Sequence, residues 1–382
     1  MNVDILHSGF DGLKFTIQTD ISPELREKLA FGKQYAKQNN GDCIIQFGSI
    51  ALSVTNKGGR GFTAHTGDLG AVWLFQDPED FIPNKPGITV DFRAFGLATG
   101  GLDGAEKHFR ECMEAFDIRY VESQLRVSRA DFAVDFLAPW FEPGRDSLLV
   151  PPGTKVTEYA DPEFTETVSC GSRVLGLRAG AIANRQIAIY DKRAEVIQKK
   201  KMGWLTIWNT ALEANGKPPL DLKDRDTSRV WRFEMRLGSK QLRNRFEIRG
   251  WQDVYDTIGD AFADSLNHIR YCIPNADANR GRWPTHELWR RFAEVIGTRL
   301  SENRSGVLPS KVIYANRIAK MRELDTLLSG LFITRAAISD VSANELEVFM
   351  ERHVDTLMLL VGEHSVSVKE RIAKARGRYH FR

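Results

Sequence analysis

VSRADFAVDF, Val127 to Phe136, alternates as a β-strand does. Ser128, Ala130, Phe132, Val134 and Phe136 fall on one side, and Arg129, Asp131, Ala133 and Asp135 on the other. One face suits a hydrophobic core; the other carries two carboxylates and a guanidinium. Two later stretches repeat the pattern. In QIAIYDKRAE (Gln186 to Glu195), Ile187 and Ile189 share a face with Asp191, while Gln186, Tyr190 and Lys192 share the opposite one. In RVWRFEMRLG (Arg229 to Gly238), Trp231, Phe233, Met235 and Leu237 form the apolar face, and Arg232, Glu234 and Arg236 the polar one. If the three strands join one sheet with apolar sides together, Arg129, Asp131, Asp135, Tyr190, Lys192, Arg232, Glu234 and Arg236 project from a single surface.

Around these strands, Asp11 to about Leu237 is strand-like. KFTIQT, CIIQFGSIALSVTN, AVWLF and ITVDFRAF are short β-branched and aromatic runs separated by Gly, Asn, Asp and Pro. Two helical patterns interrupt them: SPELREKLAFGKQYAKQ, with an N-cap serine and a proline at the first position, and GLDGAEKHFRECMEAF. Antiparallel sheet with packed helices predicts an α+β domain. After Arg249 the segments read as helices, and a boundary is expected near Pro274. Residues 1–274 form the α+β domain in this reading, and 275–382 an all-helical module ending in the basic tail KERIAKARGRYHFR.

Bulk properties narrow the classes. The chain has 382 residues, 42% hydrophobic and 27% charged, with net charge +3, so any anion-binding surface must come from local clustering. The four cysteines are far apart and form neither a zinc pattern nor a disulfide framework, which predicts reduced thiols. The stretch MNVDILHSGFDG has no apolar core of a secretory signal, and no run is long enough to span a bilayer. A cytoplasmic, bacterial location without membrane contact is the expectation.

Alternating charge on one strand is most often a solvated face with cross-strand ion pairs. Three such strands together point toward a site, but periodicity alone stops short of a reaction; the chemistry that would use this set is phosphodiester cleavage. Mg²⁺ or Mn²⁺ takes hard oxygen ligands and polarises phosphate. A tyrosine becomes a nucleophile when cations favour its phenolate, and lysine or arginine stabilises the transferring phosphoryl group. Asp131 and Asp135 lie about 13 Å apart along an extended strand, so they do not easily share one ion. Asp131 with Glu234 from another strand is the preferred pair.

The ordered set SRADFAVDF, CGSR, IAIYDKRAE and VWRFEMRL resembles the rolling-circle replication initiators of the Rep_trans type and the related relaxases of integrative conjugative elements. That family nicks one DNA strand at an origin with a tyrosine, stays linked to the 5′ phosphate and needs a divalent metal. The resemblance implies Tyr190 as nucleophile, Asp131 and Glu234 as ligands of Mg²⁺ or Mn²⁺, and Lys192 beside the phosphate. Gly171, Ser172 and Arg173 match the family's turn. Asp135 and Asp191 are further metal candidates ranked below; a flat strand points Asp191 away from Tyr190. The segment from Gly171 to Tyr190 is longer than the family pattern. No His-hydrophobe-His motif is present, so the chain does not resemble nicking enzymes with histidine-held metal.

Such an enzyme must hold double- and single-stranded DNA at a replication or transfer origin. Arg129, Arg173, Arg232 and Arg236, with Lys199, Lys200 and Lys201 just after the tyrosine strand, are the expected phosphate contacts. Arg280, Arg282, Arg290 and Arg291 around Trp283 and Trp289 form another basic cluster. The helical module could read the origin, recruit a host helicase or form a homodimer. A non-catalytic origin-binding initiator, with structural carboxylates, is the second reading. A metal-dependent nuclease using water is the third.

Overall fold

The computed structural model describes residues 3–80, 85–159, 176–298, 300–302 and 304–379. The strands are β1 (Asp4–Ile17), β2 (Cys43–Phe47), β3 (Ile50–Val54), β4 (Phe62–His65), β5 (Ala71–Phe75), β6 (Ile88–Phe92), β7 (Leu125–Leu137), β8 (Leu148–Leu149), β9 (Val156–Tyr159), β10 (Gly176–Gly180), β11 (Arg185–Asp191), β12 (Val230–Gly238) and β13 (Arg270–Tyr271). The α-helices are α1 (Pro23–Asn39), α2 (Ala94–Ala115), α3 (Lys192–Gln198), α4 (Gly203–Ala214), α5 (Arg225–Ser228), α6 (Ser239–Leu242), α7 (Trp251–His268), α8 (Glu287–Ile296), α9 (Pro309–Ile338), α10 (Leu346–Gly362) and α11 (Val368–Arg378).

Eleven strands form one antiparallel sheet in the order β2-β3-β4-β5-β6-β1-β7-β12-β11-β10-β9, and the fold is α+β. The three patterned strands are adjacent, with β12 between β7 and β11. Their apolar residues face one layer of helices. Phe10 and Phe132 meet Phe262 of α7, and Phe233 meets Trp289 and Phe292 of α8. α2 joins the same side, where Phe109 packs against Phe15 and Trp251. The opposite face is covered at one end by a smaller core in which Leu6 of β1 meets Val196 of α3, Trp204 and Trp208 of α4, and Val312 of α9.

The expected helix over SPELREKLAFGKQYAKQ is α1: the Ser22 hydroxyl accepts from the Leu25 amide at 3.2 Å and Pro23 opens the first turn. The expected boundary at 274/275 does not coincide with a change in packing. β13 pairs with β8, and Leu288, Trp289, Phe292 and Ile296 of α8 are buried in the main core. An amphipathic helix reads alike from sequence whether it caps a sheet or begins a bundle. Here α8 closes the sheet domain, and helices largely exposed to solvent begin within α9. Among the described residues no helix is long and apolar enough to cross a membrane.

Candidate active site

The cross-strand register builds the site in rows. Tyr190 of β11 lies opposite Arg232 of β12, which lies opposite Asp135 of β7. In the next row Glu234 stands between Ala188 and Ala133; in the third, Arg236 stands between Gln186 and Asp131. The two alanines flanking Glu234 are methyl-sized, so the sheet surface is low there. A cleft of about 650 Å³ opens above it, with Asp131, Tyr190, Lys192, Glu234 and Arg236 among its walls.

β1 completes the floor through a bulge. Its register against β7 shifts between Phe10 and Gly12, so Asp11 becomes an extra residue on the polar side. Gly12 then lies opposite Asp131, and a Cβ there would stand 2.7 Å from Asp131 Oδ2. Only glycine leaves that carboxylate its position.

Position divides the carboxylates into two sets: Asp131 and Glu234 line the cleft, and Asp135 does not. Asp135 is fully buried and both its oxygens are committed. Arg232 donates from Nε at 2.6 Å to Oδ1 and from Nη2 at 2.8 Å to Oδ2, and Trp208 Nε1 donates to Oδ2 at 2.9 Å. Arg232 also bonds Asp11 through Nη1 and stacks over the Trp204 ring at 4.2 Å. This pair is an internal brace. Asp135 and Arg232 are both fully buried and neither is among the walls of the cleft, although the sequence placed them on the same surface as Asp131.

The second set faces the cleft. Tyr190 Oη donates to Glu234 Oε2 at 3.1 Å. Arg236 clasps Glu234 through Nε at 2.7 Å and Nη2 at 3.0 Å, and Arg129 holds Asp131 through Nε at 2.9 Å and Nη2 at 2.5 Å. Burial and the neighbouring Glu234 charge push the Asp131 carboxyl up to about 7. Burial, reinforced by Glu234, also raises the Tyr190 phenol well above its ordinary value. Positive charge entering the cleft would relieve both.

Lys192 is the first residue of α3 rather than the last of the strand, yet it remains over the site. Its ammonium lies 5.7 Å from the Tyr190 ring centre and 5.0 Å from that of Trp204, and it bonds Glu195. Burial alone would raise the Glu195 carboxyl, but Lys192 and Lys201 overcome it and hold it at about 2. Lys201 reaches Glu195 Oε1 at 2.7 Å, and Lys200 reaches Glu323 of α9 at 3.0 Å. Lys199, Lys200 and Lys201 all line the cleft rim. Asp191 points to the other face and caps α3, accepting from the Ala194 amide at 2.9 Å. Asp191 is not among the residues lining the cleft. Arg173, with Gly171 and Ser172, lies outside the described residues. Trp289 of the second basic cluster is a core residue.

Asp131 and Glu234 are diagonal neighbours on adjacent strands and supply hard anionic oxygen. A Mg²⁺ held by one or two carboxylates, water and substrate phosphate needs no more from a protein, so these residues fit the ion. No group of three or more His, Cys, Asp or Glu that could enclose a metal occurs among the described residues.

Sequence reading missed Asp11, Glu195, Trp204 and Trp208. Asp11 had a signal: the buried parity changes from Phe10 to Leu13, Phe15 and Ile17, which marks a bulge. α4, GWLTIWNTALEA, was passed over although Trp204 and Trp208 stand one turn apart.

No protein-family model and no curated protein matches the chain. Among solved structures it is similar to a rolling circle replication initiator protein from Geobacillus stearothermophilus, with 16% identity over 78% of this chain and 98% of that one, and a TM-score of 0.38. So loose a superposition says nothing of residue roles.

Proposed function

We propose that the chain is a metal-dependent DNA nicking and strand-transfer enzyme that initiates rolling-circle replication or the related transfer of a conjugative element. The observation supporting this most is the Tyr190–Glu234 hydrogen bond on the cleft floor, with Asp131 beside it. Glu234 already accepts from the phenol and so lies on the path by which its proton leaves. Tyr190 Oη then bonds to phosphorus, and the bond from phosphorus to the 3′ oxygen breaks. The protein keeps the 5′ phosphate, and the released 3′ oxygen takes up a proton. Asp131 and Glu234 would hold Mg²⁺ or Mn²⁺, which when bound neutralises phosphate charge and favours the phenolate. Lys192, above the Tyr190 ring, stabilises charge on the transferring phosphoryl group. Lys199, Lys200 and Lys201 hold neighbouring backbone phosphates of origin DNA. A host helicase is a further partner in this reading.

The second reading, a non-catalytic origin-binding initiator, draws on a specific observation: Asp11, Asp131, Asp135 and Glu234 each have an arginine partner. Supercoiled DNA carrying the region around the protein's own reading frame, incubated with Mg²⁺ or Mn²⁺, separates the two. Nicked circles bearing protein on the 5′ end support the enzyme, and bound but intact DNA supports the alternative.

A further inference from the structure

Two carboxylates at the cleft each bridge a pair of lysines. Glu195 accepts from Lys192 and, at 2.7 Å, from Lys201. Glu323 of α9 meets Lys200 through Oε1 at 3.0 Å and Lys320 through Oε2 at 3.1 Å. The two bridges differ in their access to solvent. The Glu195 and Lys192 side chains are each 4% exposed, so that bridge is enclosed. Glu323 is 24% exposed and Lys200 53%, so the second bridge stands at the open rim.

Glu323 reaches the rim because α9 is fixed just before it. Val312 is buried in the core with Trp204, and Asn316 Oδ1 accepts from the Gly203 amide at 2.8 Å. Asn316, Lys320 and Glu323 follow one another at i, i+4 and i+7 on one helix face, and all three line the cleft. The two lysines hold the Glu323 carboxyl below its ordinary value.

A phosphodiester offers what that carboxylate offers, one negative charge shared by two free oxygens. Exposed lysine–carboxylate pairs contribute little to stability, whereas a DNA phosphate that pairs with lysine also releases condensed counterions. We infer that Lys200 and Lys320 form a backbone-phosphate subsite, which Glu323 occupies until DNA displaces it. Lys320 thereby joins the rim lysines as a DNA contact, and α9 carries a carboxylate that competes with DNA entering the cleft. The inference rests on the reading that the cleft takes DNA and is independent of the nicking step.

Fluorescence anisotropy with a short labelled DNA duplex of arbitrary sequence, without divalent metal, tests it. Glu323→Gln should bind about threefold to tenfold more tightly than the unmodified chain. Loss of a nearby negative charge would by itself strengthen binding, so the same substitution is also made with Lys200→Ala and Lys320→Ala in place. There the gain should vanish, because no subsite remains to be freed. A gain of the same size with and without the two lysines overturns the inference. Equal binding by the unmodified protein and Glu323→Gln also overturns it, and leaves the DNA reading standing. No binding by any of these proteins overturns the DNA reading on which it rests.

Discussion

Tyr190 on β11 donates its hydroxyl proton to Glu234 on β12 at 3.1 Å, with only the methyl groups of Ala188 and Ala133 flanking the carboxylate in its own row. Antiparallel register alone brings these side chains together, from positions 44 residues apart. Burial, reinforced by the Glu234 charge, holds the phenol in its protonated form.

The Asp131 carboxyl gives a pH signature. Its ordinary value of 3.8 rises to about 7 in the fold. Between those values the native chain holds a proton that the unfolded chain has released. The stability from that proton is full below about pH 4 and is lost as pH rises through about 7. Without divalent metal, Asp131→Asn should therefore melt progressively higher than the unmodified chain from pH 5 to pH 8, by a few degrees at the upper end. Saturating Mn²⁺ at pH 8 should reverse that order, since only the unmodified chain gains by binding it. Parallel melting curves across this range would show that Asp131 is not strained.

The internal brace should behave differently from the cleft ions. Arg232→Met leaves Asp135 and Asp11 buried without their cation, a loss of about 3–5 kcal/mol. Urea unfolding measures it, and a loss below about 1 kcal/mol would make the brace dispensable.

Gly12→Ala tests the bulge. The new Cβ would meet Asp131 Oδ2 at 2.7 Å. Mn²⁺ affinity, followed by calorimetry, should fall about tenfold or more while the circular dichroism stays native. Unchanged affinity would place the cation away from Asp131.

The rim lysines should affect DNA affinity and its salt dependence. Lys200→Ala should lower the slope of log K against log salt by about 0.9, as expected for one lost phosphate contact. An unchanged slope would leave Lys200 bonded to Glu323 alone.

The sheet's polar face was legible because Arg129, Asp131, Tyr190 and Glu234 lie on strands of strict period two, where face follows from position. The brace was not. Asp135 and Arg232 read the same as Asp131 and Arg236, and only α4, through Trp204 and Trp208, buries one pair and leaves the other at the cleft. Lys192 was placed on the correct side for an incomplete reason: Asp191 ends the strand as a helix cap, and the first turn of α3 carries the lysine over Tyr190. Asp11 was hidden by a bulge whose trace in the sequence is the shift of apolar parity from Phe10 to Leu13, Phe15 and Ile17. The packing of α8 into the main core was not legible, because its apolar stripe fits a sheet and a helix equally well.

The most direct measurement compares Tyr190→Phe with the unmodified protein on supercoiled DNA in Mn²⁺, with peptide mapping of any covalent adduct. The substitution removes one oxygen and should cost only about 0.5–1.5 kcal/mol of stability, the net worth of one hydrogen bond. Folding and DNA binding should survive, the adduct of the unmodified protein should map to the peptide containing Tyr190, and both nicking and adduct should vanish in the variant. A covalent DNA adduct that persists unchanged in Tyr190→Phe would contradict the account.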